Sequence, residues 1–558
     1  VIGIDRDVTS LIDALRQPAR SDRPTASEAL QRLEKIAQRP RRRARFALAF
    51  VLILIAVVAV AKYTLDLKRE RAIAEEARLE AQARREDADE LISFMLGDLR
   101  KKLEPLGKLD VLDAASVKSL EYFDSLDPDS LSPTELSRNA KALYQLGEVR
   151  RAQGNLAEAT AAYGRSLALS RKAVQLEPRN TNLRVELGAS EFYVGNAYRL
   201  AGNLDAARKH LENYLLVAEE LVAMDPENPT FQTELGYAHS SLGFIDEAQG
   251  SLTKALEHYL ISLEIRKAQL DATPGSTGVQ YDLARAHNKI GLIQHKLGFV
   301  NEARNEFRIE MEIREKLLAS QPDDMKQRDR LATTYWFRAS VEAAAGSYQR
   351  AADFLEAEVA IYRELASRDP ENADWQRHLG VAYQGLAEIR HALHEARVRD
   401  ELLRASRKLL EGVIARDPDR PGWQRDIARV ETVESIAALD RGQPTMAVRR
   451  ADEAIDRLAR FPTGDVSGVV ALGEARLARA AALSALRRES EAEAELSIVV
   501  ALLDPSHAEA EARLVDVVTR AALHLGQTER AASMYHRLRQ RGYGSPGLRA
   551  LCARIPCA

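Results

Sequence analysis

GNAYRLAGNLDAARKHLENYLLVAEELVAMDP, residues 195–226, is one round of a pattern that returns every 48 residues. Its closing proline recurs as Pro178, Pro226, Pro274, Pro322, Pro370 and Pro418. Its turn glycine recurs as Gly154, Gly202, Gly250, Gly298 and Gly346, gives way to His394, and returns as Gly442. Five residues on stand Ala159, Ala207, Ala255, Ala303, Ala351, Arg399 and Ala447. Four further on come Tyr163, Leu211, Tyr259, Phe307, Leu355, Leu403 and Ala451. The slot seven before the turn is always small: Gly147, Gly195, Gly243, Gly291, Ala339, Ala387, Ser435. Phased slots sharing one step mean an array of structural units.

Between the slots the periodicity is helical. Ala207, Leu211, Leu215, Ala218 and Val222 fall three or four apart and make one apolar stripe. Gly202-Asn203 turns the chain, because glycine takes positive φ without steric cost. Asp225-Pro226 ends the second helix, because the proline ring removes a donor and clashes in a helix interior. Each unit is therefore two antiparallel helices. The small residue at 195 lets them approach, and Leu211 fills the space beside Ala207. Neither helix buries its stripe alone, so stacked neighbours supply the core. The expected fold is all-α: an α-solenoid of helix hairpins with a 48-residue period, preceded by one transmembrane helix.

The order small residue, turn Gly, Ala, aromatic, at spacings of 7, 5 and 4, resembles the tetratricopeptide (TPR) motif. That motif is about 34 residues long. The longer period implies about two extra turns on each helix, near 10 Å at ~1.5 Å per residue. The resemblance implies protein or peptide ligands held along the concave face, by side chains of the first helix of each unit. Later units shorten, through Arg487, Ala492 and Leu496 to Gly526, Ala531 and Tyr535, at intervals of 45 and 39. Nine turns followed by this slot pattern run from Gly154 to Gly526.

The chain has 558 residues, is 46% hydrophobic and 29% charged, and has a formal net charge of −3. The charges are mixed along the helices, so no nucleic-acid surface is expected. The two cysteines, Cys552 and Cys557, either pair in an oxidising compartment or remain free. The first residue is Val, and the expectation is a chain that starts inside a longer product.

Ahead of the array, residues 1–38 read as two short helices, with Leu11, Ile12 and Leu15 on one and Ala29, Leu30, Leu33 and Ile36 on the next. Thr25 and Glu28 form a capping box for the second. The linking stretch Pro18-Ala-Arg-Ser-Asp-Arg23-Pro24-Thr25-Ala26 resembles the last two helices of a Ser/Thr protein kinase lobe. There the resemblance implies that Arg23 pairs with a glutamate lying upstream of this chain.

Arg39, Arg41, Arg42, Arg43 and Arg45 precede Phe46 to Ala61, a run without a polar residue. Sixteen apolar residues span roughly 24 Å, short of the ~30 Å hydrocarbon core. Tyr63, Leu65 and Leu67 extend the span if Lys62 snorkels. Residues 39–67 thus read as a basic flank and a transmembrane helix. A cleaved signal peptide is the competing reading, for Ala59-Val60-Ala61 looks like a processing site, but a long charged region lies ahead of it. The arginine bias puts the N-terminus in the cytoplasm and the repeats in a periplasm. From Leu67 to about Leu91 the chain lacks Gly and Pro and continues as a stalk helix, a candidate homodimer contact. The block from Phe94 to Phe123 resembles the segment joining span to repeats in bacterial membrane-bound Ser/Thr kinases with TPR sensor regions. Residues 68–136 form this stalk and connection, 137–543 the array, and 544–558 a tail.

No G-x-G-x-x-G, H-R-D or D-F-G occurs, so these residues do not transfer phosphate. No Walker loop and no zinc-spaced cysteines occur, and no cofactor is expected. His391, His394 and Glu395 share a face without forming H-E-x-x-H, and His394 fills a turn slot, a structural role. Trp375 and Trp423 share the slot of Phe231 and read as packing between units. Tyr193, Tyr198, Tyr237, Tyr335 and Trp336 are less regular and are the candidate protein-binding residues. Three functional readings follow: the sensor part of a membrane-anchored Ser/Thr kinase, a non-enzymatic envelope scaffold, or the TPR part of a membrane-bound winged-helix transcription regulator.

Overall fold

The computed structural model describes residues 6–99, 113–461, 465–502 and 510–552. The chain divides into two units, Val1–Met95 and Leu96–Ala558.

The first unit is helical. α1 spans Arg6–Leu15, and α2 runs without interruption from Ala26 to Ser93. Thr25 caps α2 as its sequence predicts: the Glu28 amide donates to Thr25 Oγ1 at 3.3 Å, and the Thr25 amide donates to Glu28 at 2.9 Å. Arg23 donates to the Gln17 carbonyl at 2.6 Å and holds the preceding turn. One point differs from the sequence reading, which ends this helix near residue 38. α2 instead passes through Pro40. A proline removes one backbone donor, and the helix-forming Arg, Ala and Leu residues on both sides carry the helix across it. The 68 residues of α2 make a rod of about 100 Å. Its Ala47–Ile92 portion is long and apolar enough to cross a membrane by length and composition.

The second unit is built from hairpins. After α3 (Asp113–Ser125) come nine helix pairs among the described residues. They are α4 (Pro133–Ala152) with α5 (Leu156–Leu176), α6 (Thr181–Leu200) with α7 (Leu204–Met224), and α8 (Pro229–Ala248) with α9 (Leu252–Ala272). Next are α10 (Thr277–Leu297) with α11 (Val300–Ser320), α12 (Met325–Ala344) with α13 (Tyr348–Arg368), and α14 (Ala373–Ala392) with α15 (Ala396–Ile414). The last are α16 (Pro421–Asp440) with α17 (Pro444–Arg460), α18 (Val466–Ala485) with α19 (Glu489–Val500), and α20 (Ala512–His524) with α21 (Thr528–Gln540). A short α22 (Pro546–Cys552) follows. This is an α-solenoid of TPR-like hairpins, with helices of 20 and 21 residues in most units, as the 48-residue step requires. Cys557 and the Cys552 side chain lie outside the described residues, and so does the question of their pairing.

Each slot has a mechanical reason. The turn glycines take φ between 69° and 86°, and His394 and Arg487 hold the same left-handed turn at 62° and 59°. At the small slot a methyl on Gly243 would lie 2.8 Å from Tyr259 Cε1, and one on Gly291 2.9 Å from Phe307 Cε1. At these two sites the slot is small because the ring sixteen residues on occupies the space, and at Gly195 Leu211 does the same, 3.0 Å from the added methyl. Phe231 and Trp423 are buried between units. The residue six after each slot proline locks the inter-unit turn by donating to that proline's carbonyl. Arg184, Gln232, Gln280 and Arg328 do so at 2.8, 2.8, 3.1 and 3.0 Å, and Gln376 and Gln424 repeat the bond.

Candidate functional site

A concavity of about 630 Å³ lies on the face formed by α6, α8 and α10. Its walls are one stripe per helix: Phe192, Tyr193, Asn196 and Arg199, then Glu234, Tyr237, Ser241 and Phe244, then Asp282, Arg285 and Lys289. Apart from the adjacent Phe192 and Tyr193, these positions are three or four apart within a helix, so each set faces one way. They are also one step apart between helices: Tyr193, Ser241 and Lys289 share a slot, as do Ala189, Tyr237 and Arg285. The same face of three consecutive units is thus furnished differently in each. Leu211, Tyr214, Tyr259, Ser262 and Arg266 from the second helices close the floor.

Polar contacts fix the lining. Tyr237 donates to Asp282 at 2.9 Å, and Arg285 pairs with the same carboxylate at 3.1 Å. Arg266 lies 4.3 Å above the Tyr237 ring and 3.8 Å from Asp282. Burial pushes the Tyr237 phenol up, and Asp282 adds to the effect. Tyr214 donates to Glu234 at 2.7 Å, and burial likewise raises that phenol far above its ordinary range. Ser262 donates to the Gly236 carbonyl at 2.9 Å.

Phe244 is flanked by two cations, Arg199 at 4.7 Å and Lys289 at 5.1 Å from its centroid. Arg199 spends two N–H groups on Asn196 Oδ1, at 2.9 and 2.8 Å, and pairs with no carboxylate among the described residues. Burial alone lowers its pKa. Four cations in the lining (Arg199, Arg266, Arg285, Lys289) outnumber two carboxylates (Glu234, Asp282). A partly desolvated arginine beside an aromatic wall attracts an anionic or aromatic group.

Two of the five aromatic candidates stand here. Tyr237 is in the wall. Tyr193 stacks 4.0 Å from Tyr144 of the preceding unit and extends the aromatic surface toward α4. The other three lie elsewhere. Tyr198 is stacked against His210 at 5.6 Å, between the helices of its own hairpin. Tyr335 donates to Glu315 at 3.1 Å, and Trp336 stands edge-on to Phe337 at 5.0 Å and packs, partly buried, against the core of its own unit. Arg199, Phe244 and Lys289 were missed by sequence reasoning. A signal existed: they sit on the phase of Tyr193 and Tyr237, at positions where the units differ. No group of three or more His, Cys, Asp or Glu among the described residues could hold a metal.

No protein-family model matches the sequence, and no curated protein does either. Among solved structures, the chain is similar to a Rap protein complexed with competence and sporulation factor, with TM-score 0.41, 13% identity, and 76% of this chain and 99% of that one covered. It is similar to yeast Tom70 with TM-score 0.30 and 12% identity, over 83% of this chain and 94% of that one. It is similar to BtubC from P. vanneervenii with TM-score 0.37 and 18% identity, over 46% of this chain and 92% of that one.

Proposed function

We propose that this chain is the membrane-anchored interaction part of a signalling protein, and that the α6–α8–α10 cavity takes an extended peptide segment with acidic and aromatic side chains. The observation that carries this reading is Arg199, which has no carboxylate partner among the described residues and lies against Phe244 in a lining where cations exceed carboxylates. A peptide carboxylate would supply the missing partner, and an aromatic side chain would extend the stack that Tyr193 makes with Tyr144. In this reading residues 1–38 end a Ser/Thr kinase lobe, α2 crosses the bacterial inner membrane within residues 39–67 with its N-terminus in the cytoplasm, and the repeats lie in the periplasm. What supports that order is the basic flank, the apolar run and the unbroken rod that follows them. The array would sense a bound protein and shift the rod, whose stretch at residues 68–90 would form a homodimer contact.

Fluorescence anisotropy with a labelled octapeptide of alternating Glu and Phe tests the cavity. Binding should weaken about tenfold or more in Arg199→Ala and in Phe244→Ala, as expected for loss of one charge-assisted bond or one aromatic contact. Binding by both variants as tight as the parent's would refute it. The reading of the anchor is tested by cross-linking single cysteines along residues 68–90 with and without the peptide, and an unchanged pattern counts against signalling through the rod.

A further inference from the structure

In a solenoid each repeat touches only its neighbours, and among the described residues this one departs from that rule where its C-terminal end returns to α10 and α12. The Arg541 side chain donates to the Leu297 carbonyl at 2.6 Å, and the Arg541 carbonyl accepts from the Val300 amide at 3.1 Å. The Gly544 amide donates to the Ala344 carbonyl at 2.7 Å, and Arg549 donates to the Ala345 carbonyl. The separations along the chain are 244 residues for the first and 204 for the last. Two arginines therefore cap the C-terminal ends of α10 and α12, where exposed carbonyls and the helix dipole favour a cation. One apolar cluster unites both ends of the loop, with Val300, Phe307 and Val341 beside Val515, Leu538 and Leu548.

The turn glycines report the same contact. A methyl at Gly154, Gly202, Gly250, Gly442 or Gly526 would meet nothing within 4 Å. At Gly298 it would lie 3.2 Å from Ala512 Cβ, and at Gly346 it would run into the Arg549 guanidinium. Only the turns beneath the C-terminal segment are covered.

A line of contacts joins this closure to the cavity. Lys296 bridges Glu511, at 3.2 Å, and Glu247, at 3.1 Å. Burial works against its charge, yet Glu511 and Glu247 together hold its pKa above the ordinary lysine value. Glu247 in turn accepts from Tyr259 at 3.1 Å and lies 3.6 Å from Lys289, and both of these residues line the cavity.

We infer that the segment from Arg541 to Arg549, together with Glu511 at the start of α20, is a clasp that closes the second half of the array on itself and, through the Glu511–Lys296 pair, sets the geometry of the cavity. The regulatory half of this inference rests on the peptide-binding reading given above. A clasp that holds the turns at 298 and 346 fixes the tilt of α10, and α10 is one wall of the cavity. Opening the clasp frees that wall, so groove shape and C-terminal docking change together, and each biases the other.

Amide hydrogen exchange of the full chain in detergent micelles tests the clasp without any ligand. In Arg541→Ala/Arg549→Ala and in Lys296→Met, exchange across residues 237–249 and 281–300 should quicken about tenfold, the scale of a modest coupling. Lys296→Met leaves every tail bond in place, so it decides the matter if the double variant fails to fold. Faster exchange confined to residues 541–552, with Lys296→Met matching the parent, would overturn the clasp. The Glu-Phe octapeptide supplies the second arm: both variants should bind it about tenfold less tightly. A parent chain that binds no octapeptide refutes the reading of the cavity and leaves the clasp to the exchange data. A parent that binds, with variants that bind equally well, refutes the coupling.

Discussion

Replacing Gly243 with alanine should destabilise the α8–α9 hairpin, although alanine is the better helix former. The added methyl would lie 2.8 Å from Tyr259 Cε1, 3.0 Å from Cδ1 and 3.2 Å from the Ala255 carbonyl. Ordinary carbon contacts begin near 3.5 Å, so the ring must move by more than half an ångström. It has little room, since Tyr259 is 2% exposed and its hydroxyl is tied to Glu247. Overpacking of this kind costs about 1–3 kcal/mol. The gain in helix propensity returns about 1 kcal/mol. The net effect is a loss of about 1 kcal/mol, read as faster exchange of the α8 and α9 amides in the intact chain, since a long array does not melt as one unit. The same change at Gly164, inside α5 with nothing within 4 Å of its methyl, should stabilise by about 0.5–1 kcal/mol. The array contains its own control. Where the ring slot holds Leu355 or Leu403, the small slot already holds Ala339 or Ala387, whereas Gly195 faces Leu211 with its methyl position 3.0 Å from Cγ. Gly243→Ala combined with Tyr259→Leu should therefore cost less than the sum of its parts by about 1 kcal/mol. Additivity within about 0.5 kcal/mol, or a stabilising Gly243→Ala, would refute the size-matching argument.

Two further changes follow from groups that sit badly. Glu358 is 4% exposed, its Oε2 has no partner, and burial holds its pKa well above the ordinary value. Between the unfolded and folded pKa the native chain binds the extra proton, so stability falls as pH rises through that window. Glu358→Gln should thus stabilise at pH 8, by about 1–3 kcal/mol, with the advantage fading toward pH 4; a gain that does not vary with pH would count against it. His394 holds φ 62°, where a side chain costs about 1 kcal/mol. His394→Gly should slow exchange of the α14 and α15 amides, and faster exchange would refute the strain argument, because the imidazole would then make a contact worth more than the strain.

The hairpins were legible because packing repeats. A ring at 259 demands a small residue at 243, the rings at 163 and 307 make the same demand at 147 and 291, and the small slot recurs at every step, so the slots announce themselves in one sequence. The cavity was legible only in part, for the opposite reason. Its walls occupy slots where nothing repeats: Ala189 becomes Tyr237 and then Arg285. Reading for large aromatics found Tyr193 and Tyr237 but also Tyr198, Tyr335 and Trp336, which are spent on packing or on local bonds. Reading for variation at a fixed phase would have added Arg199, Phe244 and Lys289. The bond from position 232 to the Pro226 carbonyl was hidden because Arg and Gln both make it, and no single letter marks the slot.

The shortening of the last units gains its meaning from the clasp. By sequence alone, the intervals of 45 and 39 residues look like relaxation toward an ordinary repeat. In the fold, α19, α20 and α21 have only 12, 13 and 13 residues, and a methyl at Gly473 of α18 would lie 2.7 Å from Val517 of α20. First helices of adjacent units touch directly there. In the α18–α19 pair it is the second helix that is shortened, to 12 residues against 20 in the first. The chain end lies against the turns at Gly298 and Gly346, where Arg541 and Arg549 find the carbonyls that a helix end leaves exposed. Lengthening α19 by two turns should therefore do what removing the two arginines does: part the segment from the turns and speed amide exchange across residues 281–300.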